Sequence, residues 1–193
     1  LSGGGSALRS ISASQTNVLD PKQLCVHTIF MEIATAHATS TGQPAAFFAR
    51  WNDVESWPLW SPDTTWAKLD GPCEVGARGV MKPAGGPKVR FVIIAAEKDR
   101  EQTDVTSLLG ARLRFRHLVA PTLSGGSTLD VDISMAGPMT WLWSRVLGPN
   151  FRKTAQTDLD RLVKLVESEA HVGEQADTEG GAYAGAEQSP PGT

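Results

Sequence analysis

The sequence predicts an α+β domain in which about six to seven short strands form an antiparallel sheet under a long C-terminal helix. Three observations carry this reading. Between residues 63 and 136, apolar-rich runs recur at intervals of ~8–12 residues, punctuated by Gly and Pro. Two of these runs alternate cleanly with period two. After Gly137-Pro138 the period becomes helical and stays so to about Ala170.

The elements follow in order. Glu32 to Thr39 is a short extended segment of low bulk. Pro44 then stands where a first helical residue belongs, since a missing N–H costs nothing there. Phe47, Phe48 and Trp51 give the segment to Asp53 an apolar face. Pro58 and Pro62 limit Val54 to Trp60 to a second, very short helical turn. Strands are expected over 63–69, 76–82, 88–96, 103–109, 111–119 and 127–136, separated by Asp70-Gly71-Pro72, Pro83-Ala84-Gly85-Gly86-Pro87, Gly110 and Ser124-Gly125-Gly126. In 111–119, Leu113, Phe115, His117 and Val119 share one face against Arg112, Arg114 and Arg116. In 127–136, Leu129, Val131, Ile133 and Met135 oppose Asp130, Asp132 and Ser134. One face of each strand therefore meets a core or cavity and the other meets water. Met139 to Leu147 is helical and very apolar, and Gly148-Pro149 is expected to kink or interrupt it. Ala155, Leu159, Leu162, Val163 and Val166 form the stripe of the helix beyond.

Composition excludes several classes. No run approaches the ~18–20 apolar residues that span a bilayer. Cys25 and Cys73 are too few for a disulfide framework or a four-thiolate zinc site. A pI near 5.8 disfavours a general nucleic-acid binder. The expectation is a cytoplasmic protein, monomer or homodimer, without stable membrane insertion. Residues 1–17 are Ser/Gly-rich and lack the basic and apolar regions of a secretory signal, so 1–30 read as a disordered extension, foreign to the domain or added by an over-long reading frame that precedes a true start at Met31. Residues 171–193 are acidic, small and free of Lys and Arg, and read as a disordered tail. The domain is expected over 31–170, where acids and bases balance.

The segment Phe48-Ala49-Arg50-Trp51-Asn52-Asp53-Val54-Glu55-Ser56-Trp57-Pro58-Leu59-Trp60 resembles the Trp/Pro region of the polyketide cyclase/dehydrase-like proteins, members of the START and Bet v 1-like (SRPBCC) superfamily. Leu69-Asp70-Gly71-Pro72 with Val75-Gly76, Gly85-Gly86-Pro87, Leu109 to His117, and Gly137-Pro138 match in the same order. The resemblance spans 31–170. It implies a helix-grip fold: a curved antiparallel sheet wrapped around the C-terminal helix, with an apolar cavity between them. It further implies a small hydrophobic ligand, lipid or polyketide-like, and no metal or organic cofactor. A minority of such proteins catalyse cyclisation or dehydration. The resemblance supplies no catalytic motif, so site residues follow from strand parity.

By that parity Phe91, Ile93, Leu113, Phe115, His117, Val131, Ile133 and Met135 line the cavity, closed by Leu159 or Val163. His117 is the one candidate catalytic residue: an inward imidazole serves as general acid or base, or hydrogen-bonds a ligand, or is simply a packed histidine held by a backbone group or water. His37 carries a weaker version of the same reading. Arg90 either anchors a ligand carboxylate or snorkels to the sheet edge. Trp51, Trp57 and Trp60 pack the short helices or wall the cavity mouth. Trp141 and Trp143 lie two apart on a helix, so one is expected inside and the other exposed. The histidines form no HExxH or i, i+4 pair, and neither G-x-S-x-G nor a phosphate-loop Lys-Ser/Thr occurs. Three functions stay open: binding of a hydrophobic small molecule, a polyketide aromatase/cyclase or dehydratase using His117, and an interaction module without a specific ligand.

Overall fold

A computed structural model describes residues 30–183, with side chains described as far as His171. Strand β1 (Met31–Ser40) leads into α1 (Pro44–Asn52), a 3-10 turn (Val54–Ser56) and α2 (Trp57–Trp60). Six strands follow: β2 (Thr64–Leu69), β3 (Arg78–Pro83), β4 (Val89–Glu97), β5 (Glu101–Leu108), β6 (Ala111–Pro121) and β7 (Ser127–Ala136). Helix α3 (Thr140–Tyr183) ends the described chain. Pro44 and Pro58 both stand in first helical turns, so neither removes a hydrogen bond.

All seven strands form one antiparallel sheet in the order β1-β7-β6-β5-β4-β3-β2. Each neighbour follows in sequence except β1, which pairs with β7 at the far edge. The register at the centre is set by a tight hairpin. Leu108 pairs with Ala111, leaving Leu109-Gly110 as a two-residue turn with Gly110 at φ +64°. That pairing places Thr106 opposite Leu113, Asp104 opposite Phe115 and Gln102 opposite His117. On the other side β7 sets Met135, Ile133 and Val131 against the same three β6 residues. Side chains of one parity on these strands therefore face α3 together.

Helix α3 lies across that face on a single stripe: Trp143, Leu147, Phe151, Ala155, Leu159, Leu162 and Val166, spaced four or three apart. The stripe keeps its phase through Gly148-Pro149, and the helix continues where the sequence suggested a break. A helix-interior proline costs ~3 kcal/mol. Burial of Trp143, Leu147 and Phe151 on either side of it offsets that cost, and Pro149 itself faces solvent. The helix also runs past Ala170 to Tyr183, so 171–183 continue it where an irregular tail was expected. Residues 1–29 and 184–193, which hold the rest of the two expected extensions, lie outside the described residues.

The later turns of α3 are tied down. Glu167 accepts hydrogen bonds from Ser40 Oγ at 2.7 Å, Thr41 N at 3.1 Å and Thr41 Oγ1 at 3.3 Å. Those bonds hold the Glu167 carboxyl below its ordinary range. Arg50 of α1 grips Glu169 through Nη2 at 2.6 Å and Nε at 3.2 Å. At the start of α3, Trp143 Nε1 donates to the Leu109 carbonyl at 2.8 Å. On the far face of the sheet Arg116 lies in register with Asp132 but forks onto Glu101, at 3.0 and 3.1 Å. Arg114 donates to Ser134 Oγ at 3.0 Å and lies over the Phe30 ring.

Candidate functional site

Between α3 and the sheet is a cavity of about 500 Å³. That is room for a drug-sized ligand, since such sites run ~300–1,000 Å³. Leu113, Phe115, Val131 and Ile133 form its floor, with Phe151, Ala155, Leu159 and Leu162 above. Trp51, Trp57 and Trp60 wall one side. Arg50–Glu169 and the Glu167 contacts fasten the later part of α3, whereas the exposed lining residues Ala84, Gly85, Pro87 and Asn150 mark the opening. The mouth therefore lies between the β3–β4 loop and the early turns of α3.

One patch of the floor is polar. Gln102, Asp104 and Thr106 point inward from β5, beside His117 of β6, and all four are buried. His117 Nδ1 donates to Gln102 Oε1 at 2.9 Å, a cross-strand pair fixed by the hairpin register. Its ring packs against Trp51 at 5.3 Å and edge-on to Trp60 at 6.5 Å. Burial among these rings lowers the imidazole from 6.5 to about 4, against a hydrogen bond with the Gln102 backbone that raises it, so the ring is neutral at physiological pH.

Asp104 behaves in the opposite sense. It is 2% exposed, and burial raises its carboxyl from 3.8 to about 7. The neighbouring Gln102 side chain draws it back down, and Gln102 Nε2 reaches no partner in strict hydrogen-bonding geometry among the described residues. Cys73 lies half-buried nearby, its thiol pushed up by burial and then by the Asp104 charge. Trp51 Nε1, Trp60 Nε1 and Thr106 Oγ1 also lack hydrogen-bond partners among the described residues.

Of the residues expected to line the cavity, Leu113, Phe115, His117, Val131, Ile133 and Leu159 do so. Phe91, Ile93 and Met135 are buried on the expected face but packed solid, away from the void. Phe91 lies under the Trp57 ring at 5.4 Å, where the short helices fill that end of the sheet. Val163 is partly buried against the core, turned off the α3 stripe, and Leu162 takes its place. Arg90 is exposed, on the opposite face of β4 from Phe91 and Ile93, so it anchors nothing in the cavity. His37 is on the surface, its Nδ1 against Asp130. Trp143 lines the cavity and Trp141 is 68% exposed, one in and one out as the helical spacing requires.

Strand parity missed Asp104 and Thr106 as lining residues, while Trp51, Trp57 and Trp60 take the second of the two readings open to them and wall the cavity. The signal for the first two was present. A two-residue turn at Leu109-Gly110 pairs Thr106, Asp104 and Gln102 with Leu113, Phe115 and His117, and paired residues share a face. Among the described residues, no cluster of three His, Cys, Asp or Glu is placed to hold a metal, and no helix is long and apolar enough to cross a membrane.

By sequence, no family model matches the chain, and neither does any curated protein. Solved structures do. A point mutant of Thalictrum flavum norcoclaurine synthase is 13% identical, with a TM-score of 0.57 over 75% of this chain and 99% of that one. The protein Ara h 8.0201 is 16% identical, with a TM-score of 0.54 over 69% of this chain and 96% of that one. The di-domain ARO/CYC StfQ of the steffimycin pathway is 11% identical, with a TM-score of 0.58, and this chain spans 51% of it. At such identities the likeness shows the fold alone: the chain has the Bet v 1-type helix-grip fold.

Proposed function

We propose that the protein binds a small hydrophobic molecule in the cavity between the sheet and α3. One observation carries this: a 500 Å³ space persists under α3, walled by aromatic and aliphatic side chains and open at one end. Protein interiors ordinarily close such space, because an empty void forfeits dispersion contacts on every wall. An interaction module with no ligand has no use for it.

A polyketide aromatase/cyclase or dehydratase with His117 as acid/base has less support. General acid–base catalysis works best when the group titrates near the operating pH. Burial holds His117 near 4, and Gln102 occupies its Nδ1. The imidazole is better suited to holding the Trp51 and Trp60 walls in place.

Native mass spectrometry of the purified protein, set against its denatured mass, tests the binding role. Excess mass that dissociates as a small apolar species, or uptake of one from a panel of lipids and polycyclic aromatics, is the expected result. A bare chain that takes up nothing from the panel overturns it.

A further inference from the structure

The cavity carries charge of one sign. Asp63, Asp104 and Asp158 line it, and no Lys or Arg does. Two of these acids are matched. Asp63 accepts from Asn150 Nδ2 at 2.6 Å, and Asp158 accepts from Ser61 Oγ at 3.0 Å and Arg161 Nη1 at 3.2 Å. Asp104 has only the neutral Gln102 side chain beside it, which cancels no charge. It is the deepest of the three, and none of the ion pairs among the described residues reaches it. His117 on the neighbouring strand has its Nδ1 committed to Gln102 and remains neutral. Once ionised, a buried carboxylate with no counter-ion is among the most costly groups a fold can hold, and a cationic partner from outside the chain removes that cost. A neutral hydroxyl would hydrogen-bond it but leave its charge uncancelled; a cation cancels it.

The walls suit a cation as well. Trp51, Trp57, Trp60 and Phe115 line the same cavity, and desolvated ammonium groups are attracted to aromatic faces. We infer that Asp104 is the counter-ion for a protonated amine, so that the ligand is a hydrophobic, aromatic-bodied amine with its ammonium group at the polar floor of the cavity. This rests on the proposed binding role and adds the ligand's chemical class to it.

The test is a matched pair of probes, 2-naphthylmethylamine and 2-naphthylmethanol, titrated calorimetrically at about pH 8, where both the amine and Asp104 are ionised. The wild-type protein is expected to prefer the amine by at least about tenfold, because the shared naphthyl body cancels in the comparison. Asp104→Asn is expected to abolish the preference, weakening the amine by more than the alcohol. Equal affinities in the wild type overturn the amine assignment while leaving cavity binding intact, and this comparison needs no variant to fold. An amine preference that survives in D104N, or in Asp104→Ser, overturns the role given to Asp104. Binding of neither probe counts against the cavity-binding role itself, and the amine assignment falls with it.

Discussion

Replacing Asp104 by Asn should remove a pH dependence of stability that the wild-type protein owes to this one carboxyl. The folded carboxyl titrates at about 7 against 3.8 for the ordinary group. Between those values the native state holds a proton that the unfolded chain has released, so stability falls as pH rises. The slope is about 1.4 kcal/mol per pH unit, and over the full interval the loss reaches about 4 kcal/mol. Asn cannot titrate. The difference in unfolding free energy, variant minus wild type, should therefore be level below about pH 4, climb by about 4 kcal/mol to pH 7, and level off above. Taking the difference removes the contributions of Glu101 and Glu167, both held low by their partners. The assay is urea unfolding followed by tryptophan fluorescence, at steps of about half a pH unit from about pH 4 to 8. A difference curve that does not vary with pH would refute the burial of an unpaired Asp104.

The remaining predictions address other parts of the account. His117→Gln should show the mirror image: the folded imidazole titrates at about 4 and the unfolded one at 6.5, so wild-type stability is lost as pH falls through that window. The variant should gain about 3 kcal/mol relative to wild type between about pH 6.5 and 4, read by the same unfolding series, and a flat difference would contradict the buried neutral ring. Ala155→Phe places a ring in the cavity from α3, and should weaken naphthyl probe binding by at least about tenfold without lowering the melting temperature; unchanged affinity would move the binding site elsewhere. Gly79→Ala should destabilise by about 1–3 kcal/mol in urea unfolding, because its Cβ would lie 2.6 Å from the Lys68 carbonyl and against the Phe91 ring.

Much of the fold is legible in the sequence because its punctuation is strong. Gly110, Ser124-Gly125-Gly126 and Gly137-Pro138 end runs whose alternation is clean, and strand and helix periods do not overlap. Pro149 misleads because a proline rule is local, whereas the helix is held by a stripe that runs through it from Trp143 to Val166. The site is only half legible. Hydropathy alternation finds Leu113, Phe115, Val131 and Ile133, since their strands are apolar on one face. It passes over β5, where Gln102, Asp104 and Thr106 put polar atoms inward and Val105 lies on the other face. It also assigns Phe91, Ile93 and Met135 to the cavity, because parity identifies a face and cannot tell where on that face the helices leave a gap.

The six tryptophans offer the most direct test of an internal binding site. Trp51, Trp57, Trp60 and Trp143 line the cavity, while Trp66 and Trp141 do not. In a 15N-resolved NMR spectrum each indole N–H gives its own signal. Titration with 2-naphthylmethanol should move the signals of the four lining indoles and leave Trp66 and Trp141 in place. Shifts centred on Trp66 or Trp141, or no shift at saturating probe, would contradict a ligand cavity beneath α3.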